Sequence, residues 1–496
     1  MSPLDVATTA LTVVLVAFVA CGAVPALVTA FQFLVLPLHA WINHYDRAAP
    51  YTPRIVVVIP AWNEGLVVGG SIDRLLRLEY PADRLRIVVV DDASTDDTPD
   101  VVRERVRRHP GRVVHLRREQ GGEGKAHTLN HGIRHVLADG WMEALLIMDA
   151  DVVYEPTSLR KMARHLADER VGAVTAYIKE GSARKNFLAR FIGFEYVLAQ
   201  LASRRSQSVL GAMACLAGGA QLHSRRNIED LGGAIDTSSL AEDTVTTFET
   251  QLAGRRVVLE PHAIVLAEEP HRIDGLWRQR LRWARGNVQL TRRYRHLWFR
   301  PARGHGLGSI AFGLFWFSVF LLPALMIAAS VGLIGLYLID STLASLVFRS
   351  LWIVVGASYV YGMLYGAQLD PQTGRTSWRE IILFPGAISL VVMLSAFFPG
   401  ILGEWLPGVL GVAPSPALLM AIDLASFAWI SLCMLAAWGL RLLDRTRIGS
   451  RLTPFLTYVV GFGPILCAVT FAAYVAEARG AARTWDKTEK TGRVLG

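Results

Sequence analysis

Charged side chains are scarce in this chain. They make up 19% of its 496 residues, below the share of an average soluble protein. Cysteine is scarcer still, with only Cys21, Cys215, Cys433 and Cys467. No two of them stand at short spacing, which argues against a zinc site or a disulfide framework and leaves free buried thiols. No Lys or Arg precedes the first apolar run, so the basic start of a signal peptide is missing. The net charge is +9. Yet there is neither a zinc-finger spacing nor a basic helix with regular aromatics, and nucleic acid is not the expected partner.

Apolar length is what the chain has in abundance. Hydrophobic residues reach 52%, the mean hydropathy is +0.34 and the pI is about 9.5. The apolar residues gather at the two ends and leave a mixed, charged stretch between them, as in a soluble domain flanked by membrane spans. The first run, Val6 to Leu38, carries no charge. As one helix it would be about 50 Å long, more than a bilayer core requires. A single tilted helix is expected there in preference to a hairpin bent near Gly22 and Pro25. The late runs are Leu307–Ile339, Leu343–Ala367, Ile381–Leu402, Ala417–Leu440 and Phe455–Ala476. Arg292, Arg293, Arg295, Arg300 and Arg303 precede them, and Arg441, Arg445, Arg447 and Arg451 separate two of them. Short basic loops beside spans mark the cytoplasmic side. The basic tail should lie there too, which calls for an even number of spans. One run must then be interfacial or broken, and the last, with Gly461, Gly463 and Pro464, is the expected break.

Between the apolar blocks, Arg54 to about Val265 alternates short β-branched runs with charged helical stretches. "RIVVVIP" (Arg54–Pro60), "RIVVVDD" (Arg86–Asp92), "RVVHL" (Arg112–Leu116), "ALLIMDAD" (Ala144–Asp151) and "VGAVTAY" (Val171–Tyr177) read as buried strands. The alternation predicts an α/β domain with a largely parallel sheet. Ligands bind such sheets beyond the carboxyl ends of the strands, and the polar motifs sit there.

Asp149 and Asp151 stand one residue apart where an apolar strand opens into a loop. Both can reach one divalent cation, Mg²⁺ or Mn²⁺, that also binds substrate phosphates. Asp91 and Asp92 end the second strand and can accept hydrogen bonds from a base or ribose, or else cap a helix. Asn63 and Glu64 follow the first strand and serve there as ligand contacts or as turn residues. "GGEGKAHTLNHG" (Gly121–Gly132) joins a glycine-rich loop, Lys125 and a helix, a combination suited to phosphate. Glu242 or Asp243 can serve as a general base or cap a helix. Gln279, Arg282 and Trp283 fall at i, i+3 and i+4 on one helix face. Arg can hold a phosphate bidentately and Trp offers a flat surface to a sugar ring. The same segment also reads as an amphipathic helix on the membrane surface.

Taken in order, these motifs resemble the processive family 2 glycosyltransferases, the group with cellulose, chitin, hyaluronan and poly-N-acetylglucosamine synthases. The likeness covers nearly the whole chain. It implies a GT-A-type, Rossmann-like α/β cytoplasmic domain joined to an α-helical transmembrane domain. "PAWNE" and "VDDAS" match the uridine-binding segments, with Trp62 where Tyr is commoner. "GEGKAHTLNHG" matches the segment whose lysine lies near the diphosphate, and "DAD" the metal motif. "AED" stands where the family has Thr-Glu-Asp, so Asp243 inherits the role of base and Glu242 lies on the acceptor side. "CLAGGA" (Cys215–Ala220) departs from the patterns of known synthases in the acceptor-facing loop that holds Gly218 and Gly219. The gating sequence Phe-x-Val-Thr of bacterial cellulose synthase is missing. "QRLRW" matches the Gln-x-x-Arg-Trp motif of processive synthesis. It places Gln279 and Arg282 with the donor nucleotide and Trp283 with the acceptor. "TWDKTEKTG", with Trp485, Lys487 and Thr488, resembles a gating segment that folds over the donor.

The implied layout is an N-terminal transmembrane region over 1–45, a GT-A domain over 46–270 and interfacial helices over 271–305. A channel region over 306–480 and a cytoplasmic tail over 481–496 complete it. The implied function is inverting, metal-dependent transfer from a UDP-sugar, UDP-N-acetylglucosamine first, to a growing polysaccharide exported through the plasma membrane. Accessory subunits are left open. Rivals are single-sugar transfer to a polyprenyl carrier, and a transporter or scaffold with an inactive sugar-binding domain. The latter should have lost Asp149, Asp151 or Asp243, and all three are present. Asp423 hints at an ion path, though one membrane acid more often packs as a hydrogen-bond partner.

Overall fold

The computed structural model describes residues 2–42, 50–183, 185–409, 411–481 and 494. By internal packing the chain divides into two units. One comprises Val35–His271 and Gly286–Gly313 together with Val494. Its strands are β1 (Ile55–Ala61), β2 (Leu85–Asp91), β3 (Val113–Arg117), β4 (Ala144–Ile147), β5 (Val152–Tyr154), β6 (Val171–Glu180), β7 (Gln221–Ser224) and β8 (Arg256–Ala267). They form one sheet in the order β3-β2-β1-β4-β7-β6-β8-β5. β3, β2, β1 and β4 are all parallel. Beyond β4 the sheet is mixed: β7 runs antiparallel to both β4 and β6, β5 runs antiparallel to β8, and β6 and β8 are parallel. The expected parallel sheet is therefore only half of the whole. β7 reads "QLHS", too short and too polar to announce itself as a strand.

The continuous apolar strands reflect burial on both faces. Val56, Val58, Val88, Val90, Leu145 and Ile147 pack with Leu129, Ile133 and Val136 of the Lys125–Asp139 helix in one core cluster. Gly132 lets that helix lie close to the sheet. A Cβ there would stand 2.7 Å from Val90 Cγ2 and 2.9 Å from Val58 Cγ1. The parallel register aligns the carboxyl ends of β1, β2 and β4 on one edge, so Asn63, Asp92 and Asp149 emerge on the same side.

The other unit comprises Met1–Leu34, Arg272–Arg285 and Leu314–Ala481. Among the described residues, four helical segments are long and apolar enough to cross a membrane: Pro3–Trp41, Leu322–Ile339, Ser341–Leu369 and Pro416–Asp444. The first runs as one 39-residue segment, with turns at Gly22–Ala23 and Leu36–Pro37, and not as a hairpin. Its Leu15 packs against Gly332 and Gly335, where a Cβ would meet Leu15 atoms at 2.7 and 2.9 Å. Such small-residue seats are how helices approach closely in lipid. Two further pairs count as spans only if each is a broken one: Ala387–Phe397 with Ile401–Val409, bent by 119°, and Arg451–Val460 with Phe462–Ala478, bent by 91°. The break expected at Gly461 is present. The bend near Phe398–Gly400 was not anticipated. The late run beginning at Leu307 is two helices, Ile310–Phe320 and Leu322–Ile339.

Substituting Gly132→Ala tests the helix–sheet contact. Overpacking of this kind destabilises by about 1–3 kcal/mol, against a helix-propensity gain of about 1 kcal/mol. The thermal midpoint of the full chain in detergent should fall. Adding Val90→Ala should give a loss smaller than the sum of the two single losses, because the new methyl then has room. Additive losses would mean that Gly132 does not set this spacing.

Candidate active site

The loops after β1 and β2 interlock. Asn63 adopts a left-handed φ of 54°, which Asn tolerates. Its side-chain oxygen accepts from Thr95 N at 2.8 Å, and its own N–H donates to Ser94 Oγ at 2.9 Å. Glu64 N donates to Thr98 Oγ1 at 2.8 Å. Asp91 is fully buried and accepts from Ser94 N at 2.8 Å and Arg117 Nη1 at 3.1 Å, with His115 Nε2 3.4 Å away. Burial alone would raise its pKa. The His115 and Ser94 contacts, with the Arg117 charge, hold it below the usual carboxylate range instead. Asp92 is held by Arg118 and accepts from Gly122 N at 3.0 Å. Ala93, between Asp92 and Ser94, has φ 56°, a strained conformation for Ala of the kind that clusters at ligand sites. Trp62, 39% exposed, stands on the rim.

Asp92 thus anchors the glycine-rich loop at one end, and Lys125 anchors it at the other. Lys125 Nζ lies 2.6 Å from Asp149 Oδ1 and 3.5 Å from Glu242 Oε1, and donates to Gly218 O at 3.3 Å. Burial would lower the pKa of this ammonium, but Asp149 first, then Glu242 and Asp243, hold it above the ordinary lysine value. Gly218 is the point where the groups converge. A Cβ there would be 3.3 Å from Asp243 Oδ2, 3.5 Å from Lys125 Nζ and 4.0 Å from Asp149 Oδ2. Gly219 would carry a Cβ 3.3 Å from Asp149 Oδ2. Oδ1 of Asp243 accepts from Thr244 N at 2.7 Å, which leaves Oδ2 on the Gly218 side.

Supporting residues that sequence reasoning passed over fix this geometry. Ser71 Oγ donates to Ala150 O at 2.6 Å and pins the turn between Asp149 and Asp151. Tyr154 OH donates to Gly219 O at 3.1 Å. Thr175 Oγ1 accepts from Ala217 N and donates to Ala220 O, both at 3.0 Å. Thr247 Oγ1 accepts from Leu216 N at 2.8 Å and donates to Asp243 O at 2.6 Å. Gly286 lies against the residue before Glu242: a Cβ there would be 2.6 Å from Ala241 Cβ. Threonines and serines in strand and helix interiors carry no signal until their partners are known. Cys215 borders Asp243, and burial together with that carboxylate pushes its thiol up, as suits an inert thiol. Arg204 is buried beside Cys215.

Among the described residues no group of three or more His, Cys, Asp or Glu side chains is poised on a metal ion. Asp149 and Asp151 nonetheless fit a hard divalent cation that takes few protein ligands and fills its shell from phosphates and water. The charge balance points the same way. Three carboxylates, those of Asp149, Glu242 and Asp243, face one ammonium, a poor reception for a diphosphate without a cation.

Gln279, Arg282 and Trp283 lie on the Ile273–Arg293 helix, in the stretch belonging to the other unit. There Arg280 links two of them, stacking 4.1 Å above the Trp283 ring and donating to Gln279 Oε1 at 2.7 Å. Trp485, Lys487 and Thr488 lie outside the described residues. Val494 of the same tail bridges to Ser182 beyond β6.

Residues 53–286 match the family model for glycosyltransferase like family 2. The probable glycosyltransferase YdaM of Bacillus subtilis is 33% identical over 267 residues, 53% of this chain and 61% of that protein. Poly-beta-1,6-N-acetyl-D-glucosamine synthase of Staphylococcus epidermidis is 28% identical over 240 residues, 48% of this chain and 56% of that protein. The chain therefore spans a little over half the length of these relatives. Among solved structures, the mannosyltransferase PcManGT of Pyrobaculum calidifontis, in complex with GDP-Man and Mn²⁺, matches with a TM-score of 0.49 and 25% identity. That match covers 73% of this chain and 96% of the other. Residues 53–286 thus carry a glycosyltransferase family 2 match, in a chain that also holds several apolar helices.

Proposed function

We propose that the protein is an inverting, metal-dependent polysaccharide synthase of the cell membrane, with its catalytic domain cytoplasmic. It transfers sugar from a UDP-sugar, UDP-N-acetylglucosamine first among them, to the growing chain and passes that chain out through its membrane helices. The observation that carries this reading is the convergence of Lys125, Asp149, Glu242 and Asp243 around Gly218. The choice of sugar rests on the likeness to poly-beta-1,6-N-acetyl-D-glucosamine synthase.

In this reading Asn63, Glu64 and Asp92 receive the uridine, on loops ordered by mutual hydrogen bonds, and the expected contact from Asp91 is replaced by a positioning role, its buried carboxylate holding Ser94 and Arg117. Lys125 gives its ammonium to the diphosphate. Asp149 and Asp151 would hold a Mg²⁺ or Mn²⁺ ion, which supplies charge neutralisation to the departing UDP. The acceptor hydroxyl attacks the anomeric carbon opposite the leaving group, and Asp243 Oδ2 takes its proton. Gly218 and Gly219 leave the space in which the acceptor lies, beside Glu242. Gln279, Arg282 and Trp283 form the Gln-x-x-Arg-Trp motif that the resemblance associates with processive synthesis.

Three outcomes test this. Asp243→Asn should retain UDP binding by calorimetry and lose transfer by a factor on the order of 10² or more. Wild-type UDP release from purified Asp243→Asn, given UDP-N-acetylglucosamine, would show that another group takes the proton. Excess chelator should abolish turnover and Mg²⁺ or Mn²⁺ should restore it, so full activity in chelator would end the cation role of Asp149 and Asp151. Trp283→Ala should shorten product while leaving UDP affinity unchanged, because losing the ring removes the surface on which a sugar stacks. Polymer of wild-type length from Trp283→Ala would refute processivity through this motif. A wild-type product carrying one sugar would replace the polymer reading with transfer to a carrier.

A further inference from the structure

Guanidinium groups crowd the end of the Pro416–Asp444 helix. Asp274, at the start of the Ile273–Arg293 helix, receives Arg441 Nε at 3.2 Å and Arg445 Nη2 at 2.8 Å, with Arg278 Nε 3.8 Å away. Asp444 accepts from Asp274 N at 3.2 Å and lies 3.7 Å from Arg272 Nε, while Arg272 Nη2 donates to the Asp444 carbonyl at 2.5 Å. Arg441 is further fixed 4.9 Å above the Trp277 ring. Four guanidinium groups therefore share two carboxylates, and the excess charge is positive. Asp274 and Asp444 are largely buried inside the cluster, at 19% and 6% side-chain exposure. Arg272, Arg278 and Arg445 keep 61%, 51% and 51% of theirs exposed. The cluster is held from within and presents its unspent N–H groups outward.

The apolar surface beside it identifies the occupant. Leu435, Trp438 and Leu442 are exposed at 65%, 50% and 43%. They recur at i, i+3 and i+7, one helix face, and Arg445 continues that line three residues on. A stripe facing acyl chains thus leads into a crown of guanidinium donors. Arg pairs phosphate with bidentate geometry, and basic clusters beside a span attract anionic lipid. A soluble anion would use the crown and leave the stripe without a role.

We propose that Arg272, Arg278 and Arg445 form a headgroup site for an anionic phospholipid, whose acyl chains lie along Leu435, Trp438 and Leu442. Full-length protein in nanodiscs of phosphatidylcholine alone, or with phosphatidylglycerol added, would be compared with its Arg278→Gln/Arg445→Gln variant. Arg441 remains on Asp274 in that variant, so the buried carboxylate keeps a partner. Wild type should gain thermal stability from phosphatidylglycerol and retain it by native mass spectrometry. The double variant should bind it about tenfold or more weakly, and Arg278→Lys/Arg445→Lys should recover part of the loss. Equal responses from wild type and the Gln variant would overturn the proposal. So would an equal stabilisation of detergent-solubilised wild type by inorganic phosphate, which would mark a site for free anions. Should the Gln variant not fold, the Lys variant and Arg272→Gln give the same comparison.

Discussion

The ammonium of Lys125 is the contact on which the catalytic unit's geometry depends. A charge taken out of water must be paired, or it costs several kcal/mol. Lys125 also opens a helix, where the macrodipole disfavours a cation. Both penalties are met by Asp149 and Glu242, at 2.6 and 3.5 Å. Asp149 comes from the turn after β4, Glu242 from the first turn of the Glu242–Leu252 helix, and Lys125 from the loop that Asp92 anchors. One side chain therefore ties three loops with little else in common. Removing Lys125 would take from both carboxylates the cation they share, so the three side chains behave as a unit and not as separable contacts.

Around that unit the structure spends hydrogen bonds on backbone position. The Cys215–Ala220 loop must bring glycine backbone up to carboxylates, and it can do so only if its own peptide groups are satisfied. Thr175 and Thr247 supply partners on two sides, and Tyr154 a third. Just before the loop, Gln251 accepts from Met213 N at 2.8 Å. Glycine at 218 and 219 follows from this arrangement. A methyl at either position would press on the carboxylates that the loop is built to approach.

The parts legible in the sequence were those with a strong local signal. Continuous β-branched runs marked β1, β2, β3, β4 and β6, and acids at their ends marked Asp91, Asp92 and Asp149. Apolar length marked the candidate spans, and the glycines at 461 and 463 marked a break. What escaped had a non-local cause. β7 is a strand because β4 and β6 flank it, and nothing within its four residues says so. Ser71, Thr175, Thr247 and Gly286 have partners 31 to 79 positions away and look ordinary in sequence. The bend near Phe398–Gly400 lay inside a run whose apolar composition is the same whether it is straight or folded back.

The second break shows how such a feature is sustained. Backbone can leave helical geometry at membrane depth only where protein covers it. Gly461 adopts φ 102° and Gly386 φ 90°, and the two face each other. A Cβ on Gly386 would stand 2.4 Å from Val460 C, and one on Gly461 would stand 2.4 Å from Pro385 C. Gly463 N also donates to Phe384 O at 3.0 Å. The break after Val460 and the turn before Ala387 therefore meet backbone against backbone, joined by one peptide hydrogen bond. Two glycines 75 positions apart are thus one structural feature, and each explains the other: the contact admits no side chain on either partner, and the positive φ that both require is one that glycine alone adopts freely.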